Sequence, residues 1–363
     1  MPETAPKPLI TFLLVVRNEV QHVTECLQSM LNQTLDPALY EVLVIDGLST
    51  DGTRAQVERI IAEHPERQIR LLDNPGQILS SGWNIGIREA RGEYVIRPDA
   101  HAVVPRDFLA QSLAAMRDHP EAAAVGGILE TRGRGFWGEI IAALLSSRIG
   151  VGGSSFRVGA APGPKDTVVF GLYRRAALLE VGGFDEAIAL NQDNVCHARL
   201  RAAGKILYFD PRIRSTYYCR ASLGALWRQM FRRSQWLILM FKHQRERNFS
   251  LRYYIPLLFV VGTVSLLLAG WVVPWAWSVL GGLLALYIVA GLAAAAPTSL
   301  RPLQRLAFPL AMFVLHFSYG LGAIVGLTRL PFHNPLPQKM FPLKPTTDMH
   351  ALDAPANGQR RAR

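Results

Sequence analysis

Charged side chains are scarce in this chain. Only 18% of its 363 residues are Asp, Glu, Lys or Arg, and half are hydrophobic. That excludes a disordered chain, a coiled coil and a basic nucleic-acid arm. Cysteine is nearly absent as well. Cys26, Cys196 and Cys219 are odd in number and cannot build a disulfide framework, so a reducing compartment is expected. No G-x-G-x-x-G follows the first apolar run, which leaves dinucleotide binding without support. The polar, Pro-rich start Met1-Pro-Glu-Thr-Ala-Pro6 precedes only a short apolar run, 9–16, with no small-residue cleavage site. It does not read as a signal peptide.

What charge there is sits unevenly. Residues 1–219 hold 23 basic and 25 acidic side chains, 220–252 hold 8 and 1, 253–300 none, and 301–363 hold 8 and 2. The whole net charge of +11 therefore flanks one apolar stretch. This arrangement suits anionic lipid headgroups and gives no reason to expect a nucleic-acid partner. The uncharged stretch between Arg252 and Arg301 has room for two helical spans of about 20 residues, near 254–273 and 275–296. Pro274 and three tryptophans mark the turn between them. A third apolar run, 306–328, reads as a further span or as a helix lying in the interface. Lys242, Arg245, Arg247 and Arg252 before the first span, with Arg301 and Arg305 after the second, put those ends in the cytoplasm. The tail cations Arg329, Lys339, Lys344, Arg360, Arg361 and Arg363 conflict with three full crossings. The chain thus divides into a cytoplasmic domain (1–219), an amphipathic interfacial segment (220–252), about three transmembrane helices (253–330) and a basic tail (331–363). The expected location is a multi-pass protein of the inner, cytoplasmic membrane.

The first 219 residues alternate strands and helices. Leu9–Val16, Tyr40–Asp46, Gln68–Leu72, Glu93–Arg97 and 122–129 read as strands, and 19–33, 77–90, 106–118 and 194–203 as helices. The fold class is α/β, a mostly parallel sheet flanked by helices, with its site at the carboxyl ends of the strands. Acidic residues fall there. Asp46 ends the second strand, Asp99 follows the fourth, and Asp193 opens a helix. Asp99-x-His101 offers an oxygen and a nitrogen ligand on an irregular segment, suited to Mn²⁺ or Mg²⁺; a turn Asp beside a surface His has the same spacing. Asp193 fits a general base and equally a helix cap. Asp51 reads as an N-cap.

Taken in order, these segments resemble a family 2 glycosyltransferase of the GT-A fold. Val15-Val-Arg-Asn-Glu19 is similar to the family's first-strand motif, and Val44-Ile-Asp46-Gly-Leu-Ser-Thr-Asp51-Gly-Thr53 to its V-D-x-x-S-x-D-G-T. Asn84-x-Gly86-x-x-x-x-Ala90-x-Gly92 resembles the next segment. Asp99-Ala-His101 falls at the metal-binding D-x-D, and Gly182-Gly-Phe-Asp185-Glu186 with Gln192-Asp193 at the acceptor-side and E-D motifs. Within the family, 97–102, 166–175 and 227–229, with the apolar C-terminal part, resemble succinoglycan-type bacterial exopolysaccharide glucosyltransferases.

The resemblance implies a UDP-sugar donor held by Glu19, Asp46, Asp51 and Asp99. On the amphipathic segment Arg232 and Arg233 face headgroups or reach a donor or lipid diphosphate; arginines that merely snorkel have the same pattern. It implies a divalent ion (Mn²⁺ or Mg²⁺) on Asp99 and His101, and Asp193 as catalytic base. Asp185, Gln192 and Trp236 fall on the acceptor side. The acceptor implied is a saccharide on polyprenyl diphosphate, with membrane lipids and other polysaccharide-assembly proteins as further partners. Three departures stand out: His101 replaces an Asp, Gln192 replaces a Glu, and the processive synthases' Q-x-x-R-W survives only as Gln229-Met-Phe-Arg232-Arg233-Ser-Gln-Trp236. The last argues for addition of one sugar. Transfer to bare polyprenyl phosphate and a non-catalytic scaffold in an export complex are the competing readings.

Overall fold

Ile10–Val16 forms the first strand, β1, and every residue of it is buried. A run with no polar face has no place at the surface, so it takes the centre of a sheet. A computed structural model describes residues 7–188, 190–240 and 254–333. After β1 come α1 (Val23–Leu31), β2 (Tyr40–Asp46), α2 (Thr53–Glu63), β3 (Ile69–Asp73), α3 (Leu79–Glu89), β4 (Tyr94–Ile96), β5 (Ala102–Val103), α4 (Phe108–Asp118) and β6 (Ala122–Arg132). The helix expected from Glu19 begins only at Val23. The backbone N–H groups of Glu19 and Val20 are taken by Thr53 Oγ1 (2.8 Å) and Asp51 Oδ2 (3.1 Å), which holds this segment as a loop.

Residues 133–171 carry three helices in succession, α5 (Gly135–Leu145), α6 (Arg148–Val151) and α7 (Ser155–Val158), then a two-residue strand β7 (Gly163–Pro164). The chain closes the domain with β8 (Leu172–Arg174), α8 (Arg175–Glu180), α9 (Gln192–Ala202) and β9 (Ile206–Tyr218). The nine strands make one sheet, ordered β3-β2-β1-β4-β8-β6-β9-β5, with β7 on β9. The expectation of a mostly parallel sheet holds for β3-β2-β1-β4. Beyond them the sheet is mixed: β8 runs antiparallel to β4 and β6, while β6 and β9 are parallel. The three-helix connection between β6 and β8 replaces the single crossover helix that a parallel neighbour would need. One apolar cluster packs α1, α2 and α4 on one face, and another packs α3, α8 and α9 on the other. Register sets Val16 beside Asp46 and Asp46 beside Asp73, so the strand ends share one edge.

Past Ser222, whose hydroxyl caps it, runs α10 (Leu223–Leu239), and then α11 (Ile255–Ala269), α12 (Trp275–Ala295) and α13 (Pro302–Arg329). Among the described residues α12 and α13 are long and apolar enough to cross a bilayer, with mean hydropathies of 2.1 and 1.8. α13, at 28 residues, reaches roughly 42 Å. The first expected span is shorter, 15 residues. Trp271 is 80% exposed and Val272 83%, and Leu258, Leu268, Leu286 and Val289 also face outward. Apolar surface of this extent needs a cover, and a bilayer supplies one.

The interfacial segment departs from expectation. The apolar side of α10 (Leu226, Met230) is packed against Phe308, Met312 and Leu315 of α13 and Ile140 and Leu144 of α5, not offered to lipid. Glycines on α13 make this contact close: a Cβ at Gly322 would strike the Phe231 carbonyl. The cations at 242, 245, 247 and 252, and the tail from 334 onward, lie outside the described residues.

Candidate active site

Two loops build the first wall at the sheet edge. Asn18 and Leu48 both have positive φ, 55° and 57°, which turns residues 17–20 and 47–53 toward each other. Asn18 Oδ1 accepts from Thr50 N and Ser49 Oγ accepts from Asn18 N, both at 2.9 Å. Asp51 accepts from Thr53 N, Thr53 Oγ1 and Val20 N, so it ties the loops together. The Thr53 hydroxyl it accepts from holds its carboxyl below the usual range. Asp46 is buried beneath, its carboxylate accepting from Ser49 Oγ at 2.6 Å with Arg54 at 3.5 Å.

The second wall follows β4. Asp99 and His101 line a cleft of about 220 Å³ together with Glu19, Gly47 and Asn74. Burial raises the Asp99 carboxyl above its ordinary value, and Asp193 and Glu19 add to that, against His101 and Arg97. Burial works against charge on His101, but Glu19, at 3.7 Å, and Asp99 outweigh it and raise its pKa. A half-buried carboxylate crowded by others is stabilised by a cation. Among the described residues no three His, Cys, Asp or Glu side chains gather into a cage. The pair is a partial donor set, an oxygen and a nitrogen on one wall, of the kind that a divalent ion completes with oxygens of its ligand.

Asp193 reaches the same edge from α9. The residue before α9 on its N-cap side, Asn191, makes no side-chain cap, and Asp193 does not cap either. Its carboxylate instead lies 2.9 Å from Arg97 Nη2, close but off the hydrogen-bond axis. Arg97 is buried, its guanidinium 4.2 Å from the Trp83 ring centre and 4.9 Å from that of Phe184. A chain of polar contacts backs it: Arg97 Nη2 donates to Tyr173 Oη (3.4 Å), Tyr173 Oη meets His197 Nε2 (2.7 Å), and His197 Nδ1 meets Thr167 Oγ1 (2.8 Å). Burial drives His197 down to about 3, so the ring is neutral. Asp193 keeps 41% of its side chain exposed, which leaves the carboxylate open to a ligand. Sequence reasoning gave no role to Arg97, Tyr173, His197 or Thr167; the one local signal was a charge placed directly after the buried strand Tyr94–Ile96.

A carboxylate held by a buried cation, a second one near an imidazole, and stitched loops at the ends of parallel strands are a setting for a nucleotide and its phosphates. Residues 11–177 match the model of Glycosyl transferase family 2. The chain carries a family 2 glycosyltransferase domain. The dolichyl N-acetyl-alpha-D-glucosaminyl phosphate 3-beta-D-2,3-diacetamido-2,3-dideoxy-beta-D-glucuronosyltransferase of Methanococcus voltae is 27% identical over 327 residues, 88% of this chain and 97% of that protein. The succinoglycan biosynthesis protein ExoA of Rhizobium meliloti is 33% identical over 217 residues, 59% of this chain and 64% of ExoA. In fold, the mannosyltransferase PcManGT of Pyrobaculum calidifontis, solved with GDP-Man and Mn²⁺, is similar over 92% of this chain and 89% of its own, with a TM-score of 0.56 and 22% identity.

In the glycosyltransferase domain Asn84 of the third motif holds the 184–186 loop. Its amide donates to Phe184 O and Glu186 Oε1 and accepts from Phe184 N, each at 2.8 Å. Asp185 and Gln192 are buried just before Asp193, and Asp185 Oδ1 accepts from Ala187 N. Trp236 packs edge-on against His333, 6.1 Å away. Arg232 is exposed on α10. Arg233 lines a second cavity, of about 230 Å³, between the glycosyltransferase domain and the apolar helices. The structure thus brings Glu19, Asp99, His101 and Asp193 together over Asp46, and leaves Arg233 and Trp236 in other surroundings.

Proposed function

We propose that this enzyme transfers a single sugar, glucose, from a UDP-sugar to a saccharide carried on polyprenyl diphosphate, with inversion, at the cytoplasmic face of the inner membrane, in exopolysaccharide assembly. The observation that supports it most is the Asp193–Arg97 pair beside Asp99, at the edge where the parallel strands end. Asp46 and Glu19 hold the uridine, and Asp51 keeps their loops in place. Asp99 and His101 would hold Mn²⁺ or Mg²⁺, which when bound offsets charge on the departing diphosphate. Asp193 accepts the proton of an acceptor hydroxyl as its oxygen bonds to the anomeric carbon. The bond from that carbon to UDP breaks and UDP takes the electron pair. Arg97, 2.9 Å away, holds the Asp193 carboxylate in place. Asp185 and Gln192, buried just before Asp193, are assigned to the acceptor side.

The Methanococcus relative's name describes a lipid-linked sugar as acceptor, which favours a saccharide-bearing carrier over bare polyprenyl phosphate. The basic flanks of the apolar helices favour an inner-membrane site with residues 1–219 in the cytoplasm. The test offers UDP-[¹⁴C]glucose and Mn²⁺ to the purified full chain, with either bare polyprenyl phosphate or a lipid-linked saccharide. Label is expected in the saccharide-lipid alone, and chelation of the metal is expected to stop it. Label in the bare phosphate would refute the acceptor; no label with any acceptor, and no effect of Asp193→Asn, would mean a scaffold.

A further inference from the structure

Three arginines converge on the second cavity. Arg148 comes from α6, Arg157 from α7 and Arg233 from α10. Among the described residues no carboxylate pairs with any of them. Arg157 is the most committed. It donates to Thr131 Oγ1 at 2.8 Å and lies 5.6 Å from the Tyr217 ring centre and 5.8 Å from that of Phe156. Burial, then the neighbouring Arg233, lowers its pKa to about 10. Like charges gathered without a counter-charge cost energy that a bound anion removes.

One further wall is largely apolar and belongs in part to the helices beyond the domain: Ile149 from α6, Ile255 and Pro256 from α11, Leu315 and Tyr319 from α13. A soluble sugar nucleotide gains nothing from that side. Two walls reach the catalytic cleft. Tyr217 lines this cavity while its ring meets that of His101 at 5.2 Å, and Asn194, next to Asp193, lines it as well. A ligand here is therefore anionic at one end, apolar at the other, and placed beside the base.

The geometry points to this cavity as the seat of the acceptor's carrier, with its phosphate on Arg148, Arg157 and Arg233 and its first prenyl units against Ile255, Leu315 and Tyr319. This deepens the reading of the acceptor as lipid-linked and rests on it. The carrier's phosphate enters between α6, α7 and α10, and its saccharide extends past Tyr217 and Asn194 toward Asp193. Arginine suits this task, since its planar fork meets two phosphate oxygens at once.

The test is direct binding of undecaprenyl diphosphate to the full chain in phosphatidylcholine nanodiscs, by native mass spectrometry or titration, with UDP binding measured in parallel. Arg157→Gln and Arg233→Gln are each expected to weaken the prenyl diphosphate about tenfold, the scale of one lost charge-assisted hydrogen bond, with UDP affinity kept within a factor of two. Arg233 is exposed, so its variant tests the site even if Arg157→Gln fails to fold. The site is overturned if both variants bind the lipid as the parent does, if excess UDP displaces it, or if inorganic pyrophosphate or phosphatidylglycerol binds as tightly. Loss of UDP binding by the parent, with the arginine-dependent lipid binding intact, would instead overturn the sugar-nucleotide reading and leave this site standing.

Discussion

The two cavities are nearly equal in size, about 220 and 230 Å³, and differ in the charge of their walls. The strand-end cleft mixes signs: Glu19 and Asp99 line it with Arg17 and His101, and Asp193 stands near, paired with the buried Arg97. The membrane-side cavity is lined by three arginines that, among the described residues, pair with no carboxylate. The cavity therefore carries an excess of one sign and is built for an anion, whereas the cleft offers both signs to a ligand. Tyr217 divides them, and through Thr167, which lines the second cavity, the polar chain by way of His197, Tyr173 and Arg97 runs from one to the base of the other.

The comparison is broken most severely by removing the proposed base. Asp193→Asn is expected to lower turnover by about 10²–10⁴-fold, read by steady-state kinetics, with UDP binding preserved; a smaller loss would mean that another group takes the proton. Next comes its support. Arg97→Met leaves the Asp193 carboxylate unpaired and empties the ring cage, and a loss of about 3 kcal/mol of stability is expected, the low end for a broken buried pair because Asp193 still reaches water. Denaturant unfolding in detergent measures it. Gly322→Val drives α10 and α13 apart and should cost about 2 kcal/mol by overpacking, read the same way and without a direct effect on the strand-end loops. The smallest effect sharpens the view of the polar chain. His197 is held neutral at about 3 in the fold, by burial and by Arg97 and Arg201 against Asp193, and titrates near 6.5 unfolded. Its contribution is whole above pH 6.5 and is lost as pH falls toward 3, at about 1.4 kcal/mol per pH unit. Melting temperature between pH 7 and 5 should fall less steeply in His197→Asn than in the parent.

How far the sequence foretold this varies with how local each signal is. β1, β2 and β4 were legible because uninterrupted apolar runs admit one placement, and Asp46 and Asp99 because they end such runs. The motif marks Asp193, but that it pairs with Arg97 and does not cap α9 depends on a residue distant in sequence. Arg97 and Arg157 were missed for the same reason: what an arginine pairs with is decided by the fold, and their neighbours Trp83, Tyr173, Phe184 and Tyr217 come from separate elements. The apolar stripe of α10 was read as lipid-facing, yet periodicity marks a face and not its partner, and α13 covers it. β8 is three residues long, too short to show a period at all.

The glycines of α13 have one more effect. At Gly320, Gly322 and Gly326 there is no space for a Cβ beside Pro256, Phe231 and Gln235, so backbone lies on backbone and neither partner can slide without unlocking the other. Arg233 sits on α10 between Phe231 and Gln235, so its distance from α13 is set by residues that have no side chain of their own.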